Sequence, residues 1–143
     1  MFRQVTTAAA FSLALVGMAG ADVVDVKMLN KGADGMMVFE PAQVTLAPGD
    51  SIRFLAADKG HNAETIEGML PEGATAFAGK INEELTVTFD QLGLYGVRCK
   101  PHFAMGMVMV IAVGEGATAP EGFLEGRLPK KAKERLEAAL AGL

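Results

Sequence analysis

The chain reads as an all-β antiparallel sandwich with helix confined to its C-terminal end. Short apolar or alternating runs recur along it, and Gly, Pro, Asn and Asp breakers such as Lys31-Gly32-Ala33-Asp34-Gly35 and Ala47-Pro48-Gly49-Asp50 separate them. No long helical pattern intervenes between these runs, which disfavours an alternating α/β arrangement.

Residues 1–21 carry the marks of a cleaved secretory signal: Arg3 at the start, an apolar stretch from Ala8 to Val16, and the small-residue site Ala19-Gly20-Ala21. The mature chain is expected to begin at Asp22 and to form a single domain over 22–143. The apolar stretch falls short of the roughly 20 residues a membrane-spanning helix needs. No later stretch approaches that length, so no membrane insertion is expected. Of the 13 basic residues only Arg3 lies in the signal, so the mature chain carries 12 against 17 acidic ones, a net charge of −5. That balance argues against nucleic acid as a partner.

The first strand signals are Val23 to Leu29, Met36 to Phe39, Val44 to Ala47 and Ser51 to Ala56. Leu85, Val87 and Phe89 alternate with Thr86 and Thr88, and Tyr95, Val97 and Cys99 share one parity, so both runs predict half-buried strands. Met107 to Val113 is apolar at both parities, so its second face needs a cover. Ala132, Leu136 and Leu140, with Ala139 and Leu143 beside them, recur at helical spacing and supply one. Lys131, Lys133, Glu134, Arg135 and Glu137 are then expected to face water. Pro129 divides this helix from a shorter one expected around Glu121 to Arg127.

Cys99 is the sole cysteine, His102 follows it by three residues and Met107 by eight, and the only other histidine is His61. Two imidazoles, a thiolate and a thioether form the mixed donor set of blue-copper electron-transfer centres, with a trigonal His₂Cys plane and a weak axial Met. A lone thiol cannot make an internal disulfide, and metal ligation would shield it outside the cytosol. Met105, Met107 and Met109 alternate; spacing favours Met107 as the ligand, with Met109 further along the strand as core and Met105 at the surface near His102. Met36 and Met37 read as core fillers. Electrons are expected to leave through His102, whose ring edge a loop can expose within a small dry patch formed by Pro101 and Met105. Pro101 has no N–H and cannot donate a hydrogen bond to the Cys99 sulfur. Lys59 and Lys100 adjoin ligands, and Lys31 and Lys80 lie in polar segments able to reach the same end.

At Cys99-x₂-His102-x₄-Met107 the sequence resembles the cupredoxins, and the pseudoazurins within them. Gly60-His61-Asn62, Gly93-Leu94-Tyr95, the long ligand loop and the two expected C-terminal helices extend the resemblance over the mature chain. It implies a Greek-key, plastocyanin-like domain holding one mononuclear type 1 copper ion on His61, Cys99, His102 and Met107. The Asn62 backbone amide would donate to the Cys99 sulfur while its side chain ties the ligand loops together, and Tyr95 would form a tyrosine corner. A ring formed by Lys31, Lys59, Lys80 and Lys100 would dock acidic partners. The implied function is a soluble, monomeric periplasmic one-electron carrier and not an enzyme, supplying electrons to denitrification enzymes such as nitrite reductase and exchanging them with c-type cytochromes. Two other readings are weighed. A periplasmic copper carrier would need an exchangeable, open site, whereas this donor set predicts a closed one. A Cys-His hydrolase has no oxyanion-hole motif in its favour.

Overall fold

The computed structural model describes residues 21–143, so the expected signal lies almost wholly outside the described residues. Eight strands form two four-stranded sheets. The strands are β1 (Val23–Gly32), β2 (Gly35–Glu40), β3 (Gln43–Leu46), β4 (Ser51–Leu55), β5 (Glu64–Thr65), β6 (Leu85–Thr88), β7 (Gly93–Arg98) and β8 (Val108–Val113). One sheet has the order β2-β1-β4-β6 and the other β3-β8-β7-β5. A 3₁₀ helix, Lys100–Met105, joins β7 to β8, and one α-helix, α1 (Lys130–Ala141), follows the sandwich.

The alternation expected from the sequence is realised as core. Phe89, Tyr95, Val97 and Cys99 are buried between the sheets with Val26, Met28, Phe39, Ile52 and Phe54, and Leu85 and Val87 pack against them. The Tyr95 hydroxyl donates to Gln91 O at 3.0 Å, forming the tyrosine corner that ties β7 to the preceding loop. Met107, just before β8, and Met109, Ile111 and Val113 within it belong to this inter-sheet core. Val108, Val110 and Ala112 point the other way, into a second cluster with Ala132, Leu136 and Ala139 of α1. The double-sided apolar strand is thus covered on its outer face by the helix.

Three features differ from the sequence reading. The sheets are mixed, because β1 pairs parallel with β4 and β3 parallel with β8. The chain passes from β2 in one sheet to β3 in the other and back to β4, so β4 comes to lie beside β1 without being its hairpin partner. The shorter helix expected around Glu121 to Arg127 does not form; that segment is a series of turns, with Phe123 N donating to Pro120 O and Glu125 N to Gly122 O. Gly122 at φ +80 and Gly126 break the short run that a helix would need. Arg135 is half-buried rather than turned wholly to water: its guanidinium donates to the carbonyls of Met36, Met37 and Gly106.

Candidate metal centre

The β7–β8 hairpin and the β4–β5 loop meet at one end of the sandwich. Cys99 leaves β7, His102 sits within the 3₁₀ helix and Met107 enters β8. The connection is bonded to itself: Cys99 N donates to Met107 O at 2.9 Å, Met107 N to His102 O at 3.2 Å, and Gly106 N to Phe103 O at 3.0 Å. Gly106 turns the chain in the left-handed region at φ 84, which explains a glycine just before Met107.

His61, from the other loop, arrives at the same point. Its Nδ1 lies 3.2 Å from His102 Nδ1, and Cys99 Sγ lies 3.7 Å from His61 Nδ1 and 3.5 Å from His102 Nδ1. These donors form a nearly equilateral triangle. Metal–nitrogen bonds of about 2.0 Å and metal–sulfur bonds of about 2.3 Å require donors at roughly this separation around one ion. The His61 ring is oriented for ligation, because its Nε2 lies 2.8 Å from Asn30 Oδ1. An amide oxygen only accepts, so Nε2 carries the proton and Nδ1 turns a free lone pair toward His102 and Cys99. Asn30 sits on β1, 31 residues from His61, and sequence reading missed it. Nothing in local spacing could have found it.

Burial separates the two histidines. His61, Cys99 and Met107 are 0% exposed, whereas His102 is partly exposed. Burial, then the neighbouring His102, lowers the His61 pKa, with Asp58 opposing, which favours the neutral imidazole a ligand must be. Burial pushes the Cys99 thiol up, and Glu64 adds to this. The backbone N–H groups of Asn62 and His102 oppose it by stabilising the thiolate. A coordinated cation reverses that balance, since a coordinating thiol is deprotonated outright.

The loops are tied together through Asn62, which is 4% exposed. Its Oδ1 accepts from Lys100 N at 2.8 Å, and its Nδ2 donates to Glu64 Oε1 at 2.9 Å and Gly79 O at 3.1 Å. Glu64 in turn pairs with Arg98 at 2.9 Å, and the Arg98 guanidinium lies 4.9 Å from the Phe103 ring centre. Sequence reading also missed this brace, although the β5–β7 register sets Glu64 directly opposite Arg98.

The other expected positions fall around these donors. Met109 is fully buried core and Met105 is 45% exposed. Pro101 is exposed in the first turn of the 3₁₀ helix, and Lys31, Lys59, Lys80 and Lys100 are all exposed. Met37, read as a core filler, packs partly buried against the inter-sheet core, while Met36 is 50% exposed.

Comparison with known proteins agrees with this geometry. Residues 26–114, which include all four expected ligands, match the family of copper binding proteins described as the plastocyanin/azurin family. The pseudoazurin of Paracoccus pantotrophus is 49% identical over 139 residues, covering 97% of this chain and 96% of its own length. That of Methylorubrum extorquens AM1 is 46% identical over 143 residues, covering 99% of this chain and 97% of its own. The chain belongs to the pseudoazurins. A solved pseudoazurin structure from Methylobacterium extorquens AM1 superposes with a TM-score of 0.80 at 48% identity, covering 85% of this chain and 98% of that one. As in other pseudoazurins the cofactor is copper and the activity is electron transfer rather than enzymatic turnover.

Proposed function

We propose that His61, Cys99, His102 and Met107 hold the copper ion and that the chain carries single electrons in the periplasm, passing them to nitrite reductase and exchanging them with c-type cytochromes. The observation that carries the ligand set is the triangle of Nδ1, Nδ1 and Sγ atoms with sides of 3.2, 3.5 and 3.7 Å, its His61 corner oriented by Asn30. Bound copper supplies a one-electron couple, and a donor set intermediate between the preferences of its two oxidation states favours fast exchange. The protein's part is rigidity and access. The self-bonded loop and Asn62 hold the donors in place, so little has to move when charge changes. Partly exposed His102 gives electrons a way out, while buried His61 and Cys99 keep solvent from the metal. Pro101, lacking an N–H, leaves the Cys99 sulfur without a donor from that position.

The lysines support a charge-guided encounter. Lys31 follows Asn30, Lys59 lies two residues before His61, Lys80 follows Gly79, and Lys100 donates its N–H to Asn62, so each adjoins a group bonded to the centre's residues. Positive charges around the exit on an otherwise acidic chain steer and orient an acidic partner. A copper-delivery role is disfavoured by the burial of His61 and Cys99.

Stopped-flow oxidation of the reduced, copper-loaded protein by a copper nitrite reductase tests this reading. Lys59→Glu combined with Lys100→Glu should slow the reaction by about tenfold or more at low salt and much less near 1 M, where screening acts over roughly 3 Å. Equal rates at low ionic strength would remove the docking assignment.

A further inference from the structure

Arg135 is the long-range contact that neither the fold nor the copper ligands require. Its Nη1 donates to Met37 O at 2.7 Å and Gly106 O at 3.0 Å, and its Nη2 to Met36 O at 2.8 Å. It makes no ion pair among the described residues; its charge is spent on three main-chain carbonyls from two separate segments. The Gly106 carbonyl and the Met107 N–H belong to one planar peptide unit. One edge of that plane is held by Arg135, and the other by His102 O, which accepts from Met107 N at 3.2 Å. The helix also closes over this unit: a Cβ on Gly106 would lie 2.9 Å from Lys131 Cγ and 3.0 Å from Arg135 Cδ. Only a glycine lets α1 approach so near. The orientation of that peptide sets where the Met107 side chain starts, and the axial ligand tunes a blue-copper centre.

We propose that Arg135 is a positioning residue for Met107, locking the Gly106–Met107 peptide so that the helix on the outer face of the sandwich governs the axial interaction at the metal. This rests on Met107 being the axial ligand. A lysine keeps the charge but is a point donor and cannot span three carbonyls in a planar fork, so Arg135→Lys separates positioning from simple electrostatics. Lys133→Gln, which removes an exposed charge from the same helix, is the control.

Two readouts are taken on each variant. In copper-free protein, amide hydrogen exchange at Met107 reports the peptide directly and should quicken roughly fivefold in Arg135→Lys and Arg135→Gln, the factor of one net hydrogen bond. In copper(II) protein, the relative intensity of the visible charge-transfer bands and the symmetry of the EPR spectrum should change in both Arg135 variants and stay unchanged in Lys133→Gln. Exchange at the wild-type rate in Arg135→Lys would overturn the proposal, as would faster exchange with an unaltered spectrum. Met107→Gln tells the two readings apart: if it also leaves the spectrum unaltered, the ligand assignment has failed, and if it shifts the spectrum while Arg135→Lys does not, only the positioning role has. Should Arg135→Gln fail to fold, Arg135→Lys alone still decides.

Discussion

His61 Nε2 donates its proton to Asn30 Oδ1 at 2.8 Å, so a residue on the first strand decides which nitrogen of a buried imidazole turns its lone pair toward His102 and Cys99. Replacing Asn30 with Leu removes the acceptor and lets the ring choose its tautomer or rotate. Copper affinity should fall by about tenfold, the lower end of the range for such supporting bonds, since Asn30 is at the surface and water can take its place. Chelator competition for copper(I) measures this. An affinity equal to the wild type would show that the ring is held by packing alone.

Asn62→Ala strips partners from Lys100 N, Glu64 and Gly79 O in a single buried change. The copper-free protein should lose about 1–3 kcal/mol in urea unfolding, the cost of buried groups left unsatisfied. Asn62→Asp should recover only part of this, because it restores the acceptor for Lys100 N and sets a carboxylate against Glu64. Full stability in Asn62→Ala would make the residue an ordinary loop asparagine.

How much was legible in the sequence follows from how local each signal is. Cys99, His102 and Met107 lie in one nine-residue segment, so their spacing carries the donor set, and His61 is identified because it is the only other histidine. Alternation in Leu85–Phe89 and the two-sided apolar run before Val113 likewise declare strand and covered strand, since side-chain period is a local property. Asn30, Arg98 and Arg135 act across 31, 34 and up to 99 residues. No local period encodes such contacts, and Arg135 sits where helical spacing alone assigns a solvent-facing charge. Parallel pairing of β1 with β4 was hidden for the same reason, and Glu121–Arg127 has helix-forming glutamates whose effect its glycines cancel.

Acid and alkali should both weaken the copper-free fold, through different residues. His61 has its pKa lowered on folding, so below the usual 6.5 the unfolded chain takes up a proton that the folded one refuses, and stability is lost as pH falls. Cys99 has its pKa raised above 9.0, so its contribution is present below that value and is lost as pH rises through the folded one. Melting temperatures of the copper-free protein should therefore be highest between these limits. His61→Gln should flatten the acid limb and Cys99→Ser the alkaline limb. An acid limb identical in His61→Gln and wild type would contradict the assignment.

The donor triangle of His61, Cys99 and His102 is tested most directly by the visible spectrum of the copper(II)-loaded protein beside that of Cys99→Ser. The wild type should show intense thiolate-to-copper charge transfer. Cys99→Ser should lose it while keeping the far-UV circular dichroism of the sandwich, because the sheets have their own apolar core and a hydroxyl is a poor soft ligand. A colourless copper(II) wild type, or a Cys99→Ser variant that keeps the band, would contradict the copper centre described for this chain.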